Sequence, residues 1–184
     1  YPAAAGAAGP AVIFLHATGF LPWLWHPVAR ELVDTGDVIV PWLAARPEDD
    51  PEEEGTSWLR LAREVSALAK ALEINHPAVV GHSMGGVVAA LAQACYQLSA
   101  VRMILLEPIF MPEELYRVKL TVEQHQLAAK ALKRKNHWTD RTAAREYFLS
   151  RPLFARWDEE VLQLYLQYGL KPAADGGVVL TCSP

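Results

Sequence analysis

The strongest chemical signal in the sequence is Gly81-His82-Ser83-Met84-Gly85, a serine whose second neighbour on each side is a glycine. The apolar run 77–81 leads into it, and residues 84–97 follow with helical character. Glycine has no Cβ, so Gly81 and Gly85 allow the sharp strand-to-helix turn that exposes a serine Oγ. The first N–H groups of the helix, starting with Met84, have no partner inside it and can stabilise an oxyanion. The pattern predicts a nucleophilic Ser83 with a backbone donor at Met84.

Alternating strands and helices must position this turn. Apolar runs without a period of two are typical of strands buried on both faces, and apolar residues recur every three or four positions from Trp58 to Leu72, which predicts an amphipathic helix. The predicted strands are 11–16, 37–43, 77–81 and 101–108, and the predicted helices are 22–32, 58–72 and 84–97. Strands separated by helices predict right-handed βαβ units, hence an α/β fold with a parallel sheet and helices on both faces.

Composition excludes several classes of protein. The chain has 184 residues, 52% of them hydrophobic, which predicts one globular domain or most of one. Its 17 basic and 21 acidic residues give a net charge of -4, so nucleic acid and anionic membranes are not expected partners. No window reaches the roughly 18 apolar residues of a membrane span. Cys95 and Cys182 form no Cys-x-x-Cys pair, which favours a reducing cytoplasm over a disulfide framework.

The motifs of the sequence favour chemistry without a metal or a cofactor. The sequence has no His-Glu-x-x-His and no close histidine pair, so no metal site is expected. A cofactor-dependent oxidoreductase on a Rossmann-type sheet is a weak alternative, because Gly81–Gly86 lacks the Gly-x-Gly-x-x-Gly spacing.

The turn at Ser83, together with Phe14-Leu15-His16-Ala17-Thr18-Gly19-Phe20 after the first strand, resembles the α/β-hydrolase fold superfamily over nearly all of 11–108. In that family the loop after the first strand commonly reads His-Gly-x, and its third residue donates a second oxyanion N–H. The resemblance implies that Thr18 is this donor and that His16 orients the loop. Ala17 replaces the usual glycine, and Gly19 is expected to restore flexibility.

Several neighbouring residues are expected to be structural or to line the pocket rather than to react. They are His16, His82, Gly81, Gly85, Phe20 and Trp42. The Asp-x-Arg-Gly-x-Gly that follows the second strand in many members is replaced here by the sequence from Pro41 to Asp50, so no functional residue is carried over there.

The resemblance also implies a triad in the chain order serine, acid, histidine. Some members place the acid after the strand that corresponds to 101–108, which makes Glu107 a candidate. After Ser83 the chain offers only His125 and His137, and both are predicted to be exposed residues of a helical insertion. We therefore expect the histidine, and the acid if it is not Glu107, beyond residue 184.

The predicted organisation has three parts. Residues 1–110 form the core sheet and its helices, and 111–175 a helical lid inserted after the fourth strand, with helices expected around 113–135, 139–150 and 158–167. Residues 176–184 contain a short strand and are the start of a return to the core. The C-terminal strands of the sheet are expected to be missing from the chain. The open edge is expected to be covered by a further C-terminal segment or by a second copy of the chain.

The lid carries many apolar and aromatic residues, most of them expected to be core packing. The apolar lid residues that core packing does not require favour a small apolar ester-like substrate. The basic run 132–137 is interpreted as a solvated helix end. The leading hypothesis is a serine hydrolase acting on an ester, thioester or lactone. C–C bond hydrolysis with the same serine stays open, and so does a non-catalytic fragment or pseudoenzyme that binds a ligand or a protein.

Overall fold

Four parallel strands form a sheet in the order β2–β1–β3–β4. In this computed structural model the described residues are 1–44, 58–116 and 133–182. The strands are β1 (Val12–Leu15), β2 (Val38–Ile39), β3 (Ala78–His82) and β4 (Arg102–Leu106). All three pairings are parallel. In the central strand β1, Ile13, Phe14 and Leu15 are at most 2% exposed, as expected for a strand covered on both faces.

Helices cover both faces of this sheet. They are α1 (His26–Ala29), α2 (Trp58–Ala71) and α3 (Met84–Tyr96). On one face, α2 and α3 pack over Leu15 and its apolar neighbours. On the other face, Phe14 packs against Trp25 with ring centroids 4.7 Å apart, and Ala29 of α1 joins the same cluster. The predicted parallel sheet with helices on both faces is confirmed.

The amphipathic pattern that begins at Trp58 forms α2 as predicted. Its buried residues are Leu61, Ala62, Val65 and Ala69, which recur at the three- and four-residue spacing of one helix face. This stripe places α2 beside α3 and so supports the helix that begins next to Ser83.

Two segments are shorter or more broken than predicted. Residues 22–32 were expected to form one helix, but they contain a 3-10 turn at Pro22–Trp25, then α1, then a second 3-10 turn at Arg30–Leu32. Pro27 has no N–H to continue a helix that started before it. The second strand ends at Ile39 rather than 43, because Pro41 cannot donate to the sheet.

Residues Gly19–Leu21 and Phe110–Pro184 form a second compact unit. Its helices are α4 (Glu113–Tyr116), α5 (Arg141–Leu149) and α6 (Glu159–Tyr168), with a 3-10 turn at Phe154–Arg156. The helices predicted at 139–150 and 158–167 are therefore present within one or two residues. The predicted helical content of 117–132 lies outside the described residues.

This second unit also contains a small antiparallel sheet, of which the sequence predicted only the short strand at the end of the chain. Its strands are β5 (His137–Trp138), β6 (Leu170–Pro172) and β7 (Val178–Leu180), in the order β5–β7–β6. The end of the chain was expected to return to the core, but β7 pairs with β5 and β6 instead. Strands of two or three residues carry no readable period, and β5 lies about 40 residues before its partner, which explains the difference.

Strand β4 forms one edge of the parallel sheet. Its residues Met103 and Leu105 pack on the core, whereas Ile104 is 55% and Leu106 43% exposed. That a further C-terminal segment or a second copy of the chain covers this apolar edge stays a prediction.

Candidate active site

Ser83 is the single residue between the end of β3 and the start of α3. Its backbone has φ 55° and ψ -117°, a left-handed conformation that a residue with a side chain rarely adopts. The N–H of Ser83 donates to the Leu106 carbonyl at 2.9 Å, and its own carbonyl accepts from Gly86 N–H at 3.0 Å. Its hydroxyl does not cap the helix. The turn therefore holds Ser83 by its backbone and leaves Oγ out of the helix-capping role that serine usually takes at this position.

The glycines on either side of Ser83 are required by close packing. A Cβ on Gly81 would overlap the Gly85 carbonyl and lie 2.7 Å from Gly86 Cα. A Cβ on Gly85 would overlap the Leu15 carbonyl. Because these neighbours are backbone atoms, no change of side-chain rotamer relieves the overlap. The glycine spacing is thus explained by how tightly strand, turn and helix meet.

The predicted oxyanion donors come from two adjacent segments of the first unit. Helix α3 begins at Met84, so the N–H of this residue has no carbonyl four positions earlier within the helix. The same glycine contact places the start of α3 against the end of β1, where a Cβ on Gly85 would also lie 2.8 Å from the His16 carbonyl. Thr18 follows two residues later and is exposed. That the N–H groups of Thr18 and Met84 face one oxygen stays a prediction.

His16 is buried, and both of its ring nitrogens bond to the backbone. Leu43 N–H donates to Nε2 at 3.0 Å, so Nε2 is the unprotonated nitrogen, and Nδ1–H donates to the Ala17 carbonyl at 2.9 Å. Burial lowers the pKa of His16 below its ordinary value of 6.5, and the hydrogen bond to Ala17 partly opposes this shift. A neutral His16 thus ties the loop that carries Thr18 to the segment after β2.

We expect His16 to make the protein less stable as the pH falls below about 6.5. The folded state holds the ring neutral, so the unfolded chain takes up its proton at a higher pH. The stabilisation is complete above the unfolded pKa of 6.5 and is lost as the pH falls toward the lower folded value. The free energy of unfolding should fall by up to about 1.4 kcal/mol per pH unit in that range. Urea unfolding between pH 5 and 7.5 measures this slope.

His16→Gln should be less stable than wild type at pH 7.5 and should have a shallower slope. His76→Asn is the matched control, because His76 is exposed and its φ of 54° suits asparagine. An unchanged slope in His16→Gln would contradict the assignment of the pH dependence to this ring.

Glu107 follows β4 as Ser83 follows β3. The register pairs His82 with Leu106, so Ser83 and Glu107 occupy the next positions on neighbouring strands, which lie roughly 4.8 Å apart. Glu107 is exposed and has φ 44°, again in the left-handed region. The carboxyl ends of these two strands thus carry a serine and a carboxylate side by side.

The remaining predicted residues lie in different surroundings. His82 is the last residue of β3 and is half-buried. Trp42 is 49% exposed and packs edge-on against Trp23, with ring centroids 5.6 Å apart. Phe20 belongs to the second unit, where it packs against Trp157 at 5.4 Å.

The interpretation of the two later histidines needs one correction. His125 lies outside the described residues. His137 was expected at a helix end, but it is the first residue of β5, and its Nε2 lies 2.9 Å from Asp175 Oδ2. Hydrogen bonds from the His137 ring and from Gly177 N–H lower the pKa of the Asp175 carboxyl. The difference arises because β5 is too short for its strand character to be visible in the sequence.

Contacts between residues far apart in the chain were not predictable. The bond from Leu43 to His16 joins residues 27 positions apart, and no sequence signal marks Leu43. Gly86 is close to Pro108, whose Cβ would lie 3.0 Å from a Cβ at position 86. The approach of Arg134 to Gly19 in the second unit was also not predicted.

In the described ranges, no group of three or more His, Cys, Asp or Glu side chains is placed to hold a metal ion. Among the same residues, no helix combines the length and apolar character needed to cross a bilayer.

Ser83 thus has a left-handed conformation between a parallel strand and a helix, beside the end of the neighbouring strand β1. The chain belongs to the alpha/beta hydrolase family, whose family model matches residues 12–180.

Solved structures agree with this fold. The peroxisomal α/β-hydrolase Lpx1 of Saccharomyces cerevisiae is 18% identical with a TM-score of 0.73, over 98% of this chain and 55% of its own. E-2-(acetamidomethylene)succinate hydrolase is 20% identical with a TM-score of 0.69, over 96% of this chain and 62% of its own. An esterase of M. tuberculosis is 21% identical with a TM-score of 0.65, over 95% and 59%.

Curated relatives match a smaller part of the chain. An uncharacterised protein of Mycobacterium tuberculosis is 33% identical over 89 residues, which are 48% of this chain and 26% of that protein. The chain thus spans about a quarter of the mycobacterial relatives' length and a little over half of the solved structures named above.

Proposed function

We propose that the protein is a serine hydrolase that acts on an ester, thioester or lactone of a small apolar substrate. The observation that carries this proposal is the conformation of Ser83, with φ 55° and ψ -117° at the junction of β3 and α3 and a hydroxyl that does not cap the helix. A serine kept in a strained conformation is typical of functional sites, because ordinary packing does not favour it.

In the proposed mechanism Ser83 Oγ attacks the carbonyl carbon while a general base takes its proton. The N–H groups of Thr18 and Met84 stabilise the oxyanion that forms. As the C–O or C–S bond breaks, the base returns the proton to the leaving alkoxide or thiolate oxygen or sulfur, which becomes an alcohol or thiol, and an acyl-enzyme remains. Water, deprotonated by the same base, then releases the acid and restores the serine.

The base is proposed to be a histidine, but His16 does not suit this role, since both its nitrogens bond to the backbone. His76 lies before β3, at the end of the strand opposite to Ser83. We therefore propose that another histidine of the working protein serves as base. Glu107 is proposed as the acid that orients it, supported by its place beside Ser83 in the strand register.

The proposal of an apolar substrate rests on the apolar and aromatic residues of the sequence. The similar M. tuberculosis protein is described as an esterase, and a second similar protein as an E-2-(acetamidomethylene)succinate hydrolase, which supports hydrolysis as the reaction.

Both cysteines are free thiols, and Cys95 is exposed. We propose on this basis that the protein works in a reducing compartment such as the cytoplasm.

Labelling with a fluorophosphonate tests the proposed function. This reagent forms a stable adduct with a serine that a base has activated, so we expect one adduct per chain by intact mass. Ser83→Ala should abolish the adduct. Ser99→Ala is the matched control, because Ser99 is an exposed serine with the same φ of 55°, and it should label like wild type.

Hydrolysis of p-nitrophenyl butyrate should follow the same pattern across the three proteins. An unlabelled and inactive wild-type protein would overturn the hydrolase proposal and support the non-catalytic binding module instead. Cleavage of a vinylogous 1,5-diketone by a protein that labels but leaves the butyrate ester intact would support the C–C hydrolase.

A further inference from the structure

A groove lies between α5 and α6 of the second unit. Its volume is about 300 Å³, and it is lined by Arg141, Thr142, Arg145, Gln163, Leu166 and Gln167. All of these residues belong to the second unit, and those three or four positions apart share one face of their helix. A water molecule takes up about 30 Å³ of liquid, so the groove has room for roughly ten waters. It can therefore hold a ligand larger than a single inorganic ion.

The lining of this groove is polar except for Leu166, which is 5% exposed. The other five side chains end in guanidinium, hydroxyl or amide groups. Polar groups that converge on one space fix the orientation of a ligand, and a ligand that leaves them unpaired loses binding free energy. The groove therefore suits a polar ligand with several hydrogen-bonding groups.

Arg141 fixes the shape of the groove. Its Nη1 donates to the carbonyls of Leu166 and Gln167, and its Nη2 donates to the Leu170 carbonyl at 3.0 Å. These carbonyls lie at and just beyond the end of α6, so Arg141 ties the start of α5 to the end of α6. Within the described part of the chain, its charge is paired with carbonyl oxygens and with no carboxylate.

Arg145 uses only one of its three nitrogens inside the protein. Its Nη2 donates to both carboxylate oxygens of Glu159 at 3.0 Å, and Gln163 donates to the same carboxylate at 2.7 Å. The hydrogen bonds from Gln163 and Arg145 lower the pKa of Glu159, so this carboxyl is ionised at neutral pH. Arg145 Nε and Nη1 donate to none of the residues that the structure describes, and neither does the Thr142 hydroxyl.

The donors left on Arg145 favour a phosphate over a carboxylate. A guanidinium offers two parallel pairs of N–H donors to a carboxylate, and both pairs include Nη2, which Glu159 already occupies. The remaining Nε–H and Nη1–H point in different directions, which suits the three acceptor oxygens of a phosphate group. Arg141 and Arg145 also outnumber Glu159, so one positive charge is left over to attract an anion.

We propose that this groove binds a small phosphorylated polyol, such as a sugar phosphate. The free donors of Arg145 and the hydroxyl of Thr142 bind the phosphate, and the amides of Gln163 and Gln167 bind the hydroxyl groups of the polyol. The inference does not rest on the proposed hydrolase activity, which uses none of these residues.

Calorimetric titration with glucose 6-phosphate, glucose and inorganic phosphate tests the site. Wild-type protein should bind glucose 6-phosphate at least about 10-fold more tightly than either of the other two. Failure to bind glucose 6-phosphate, or equal binding of glucose, would overturn the anion site. Inorganic phosphate that binds as tightly as glucose 6-phosphate would overturn the assignment to a phosphorylated polyol.

Arg145→Gln and Glu159→Gln separate binding from a structural role of the ion pair. Exposed ion pairs contribute little to stability, so both variants should fold. Arg145→Gln should weaken glucose 6-phosphate binding about 10- to 100-fold. Glu159→Gln should strengthen it about 3- to 10-fold, because it removes a competing carboxylate and frees Nη2. Equal weakening in both variants would mean that the ion pair only shapes the groove, and would overturn the proposal.

Thr142→Val and Arg156→Gln complete the test. Thr142→Val removes the hydroxyl and keeps the branched shape, so binding of glucose 6-phosphate should weaken about 3- to 10-fold. Arg156 is an exposed residue of the same unit that does not line the groove, so Arg156→Gln is the matched control and should bind like wild type. A loss in Arg156→Gln as large as in Arg145→Gln would show attraction by net charge alone, and would contradict a site in this groove.

Discussion

Ser83→Gly is expected to give a protein that no longer hydrolyses esters and yet unfolds less readily than wild type. The variant loses the proposed nucleophile, so kcat/KM for p-nitrophenyl butyrate should fall by roughly 10³- to 10⁶-fold. Glycine adopts a φ of 55° without steric cost, which releases backbone strain of about 1–3 kcal/mol. The more flexible unfolded chain offsets about 0.5–1 kcal/mol of this. Urea unfolding should therefore show a net gain of about 1 kcal/mol.

Two variants isolate the two effects. Ser83→Ala removes the hydroxyl but keeps a Cβ at the strained position, so it should be inactive without the gain in stability. Ser99→Gly changes another serine with φ 55° at an exposed site, and should leave hydrolysis unchanged. If Ser83→Gly were no more stable than Ser83→Ala, the backbone at Ser83 would not store the strain assigned to its φ of 55°.

Gly85→Ala is expected to destabilise the protein by at least about 3 kcal/mol, although alanine favours a helix more than glycine does. The added Cβ would overlap the Leu15 carbonyl and lie 2.8 Å from that of His16. Both are backbone atoms at the end of the central strand, so the helix and the sheet would have to separate. The free energy of unfolding in urea measures the loss.

Gly86→Ala is the neighbouring control. Its Cβ would lie 3.0 Å from Pro108 Cβ and 3.2 Å from the Gly81 carbonyl, a tight fit without overlap. We expect a loss below about 1.5 kcal/mol, because helix propensity offsets part of the crowding. Equal losses in Gly85→Ala and Gly86→Ala would mean that close approach to β1 is not what requires glycine at position 85.

The turn at Ser83 could be predicted from sequence because its physical causes are local. The strand before this serine and the helix after it each show a hydrophobic pattern of their own within about 15 residues. The structure adds the φ and ψ angles of Ser83 and identifies the backbone atoms that exclude a Cβ at Gly81 and Gly85.

The second unit was predicted less well because its decisive contacts join distant residues. Its helices α5 and α6 were visible in the sequence, but β5 and β7 are short strands paired across about 40 residues. Because β7 pairs with β5 and β6, residues 178–180 belong to the second unit, whereas they were expected to begin a return to the core. The same distance hides the approach of Arg134 to Gly19, which lies more than 100 positions earlier in the chain.

By itself the sequence determined the α/β class, the order of the parallel strands along the chain, the amphipathic α2 and the serine at the turn. These depend on hydrophobic period and on the backbone freedom of glycine, which act over a few residues. Only the tertiary structure decided that His16 is held by Leu43, that Glu107 stands beside Ser83, and that Arg134 approaches Gly19. Such pairings arise when packing brings distant segments together, and the local pattern of either segment contains no record of its partner.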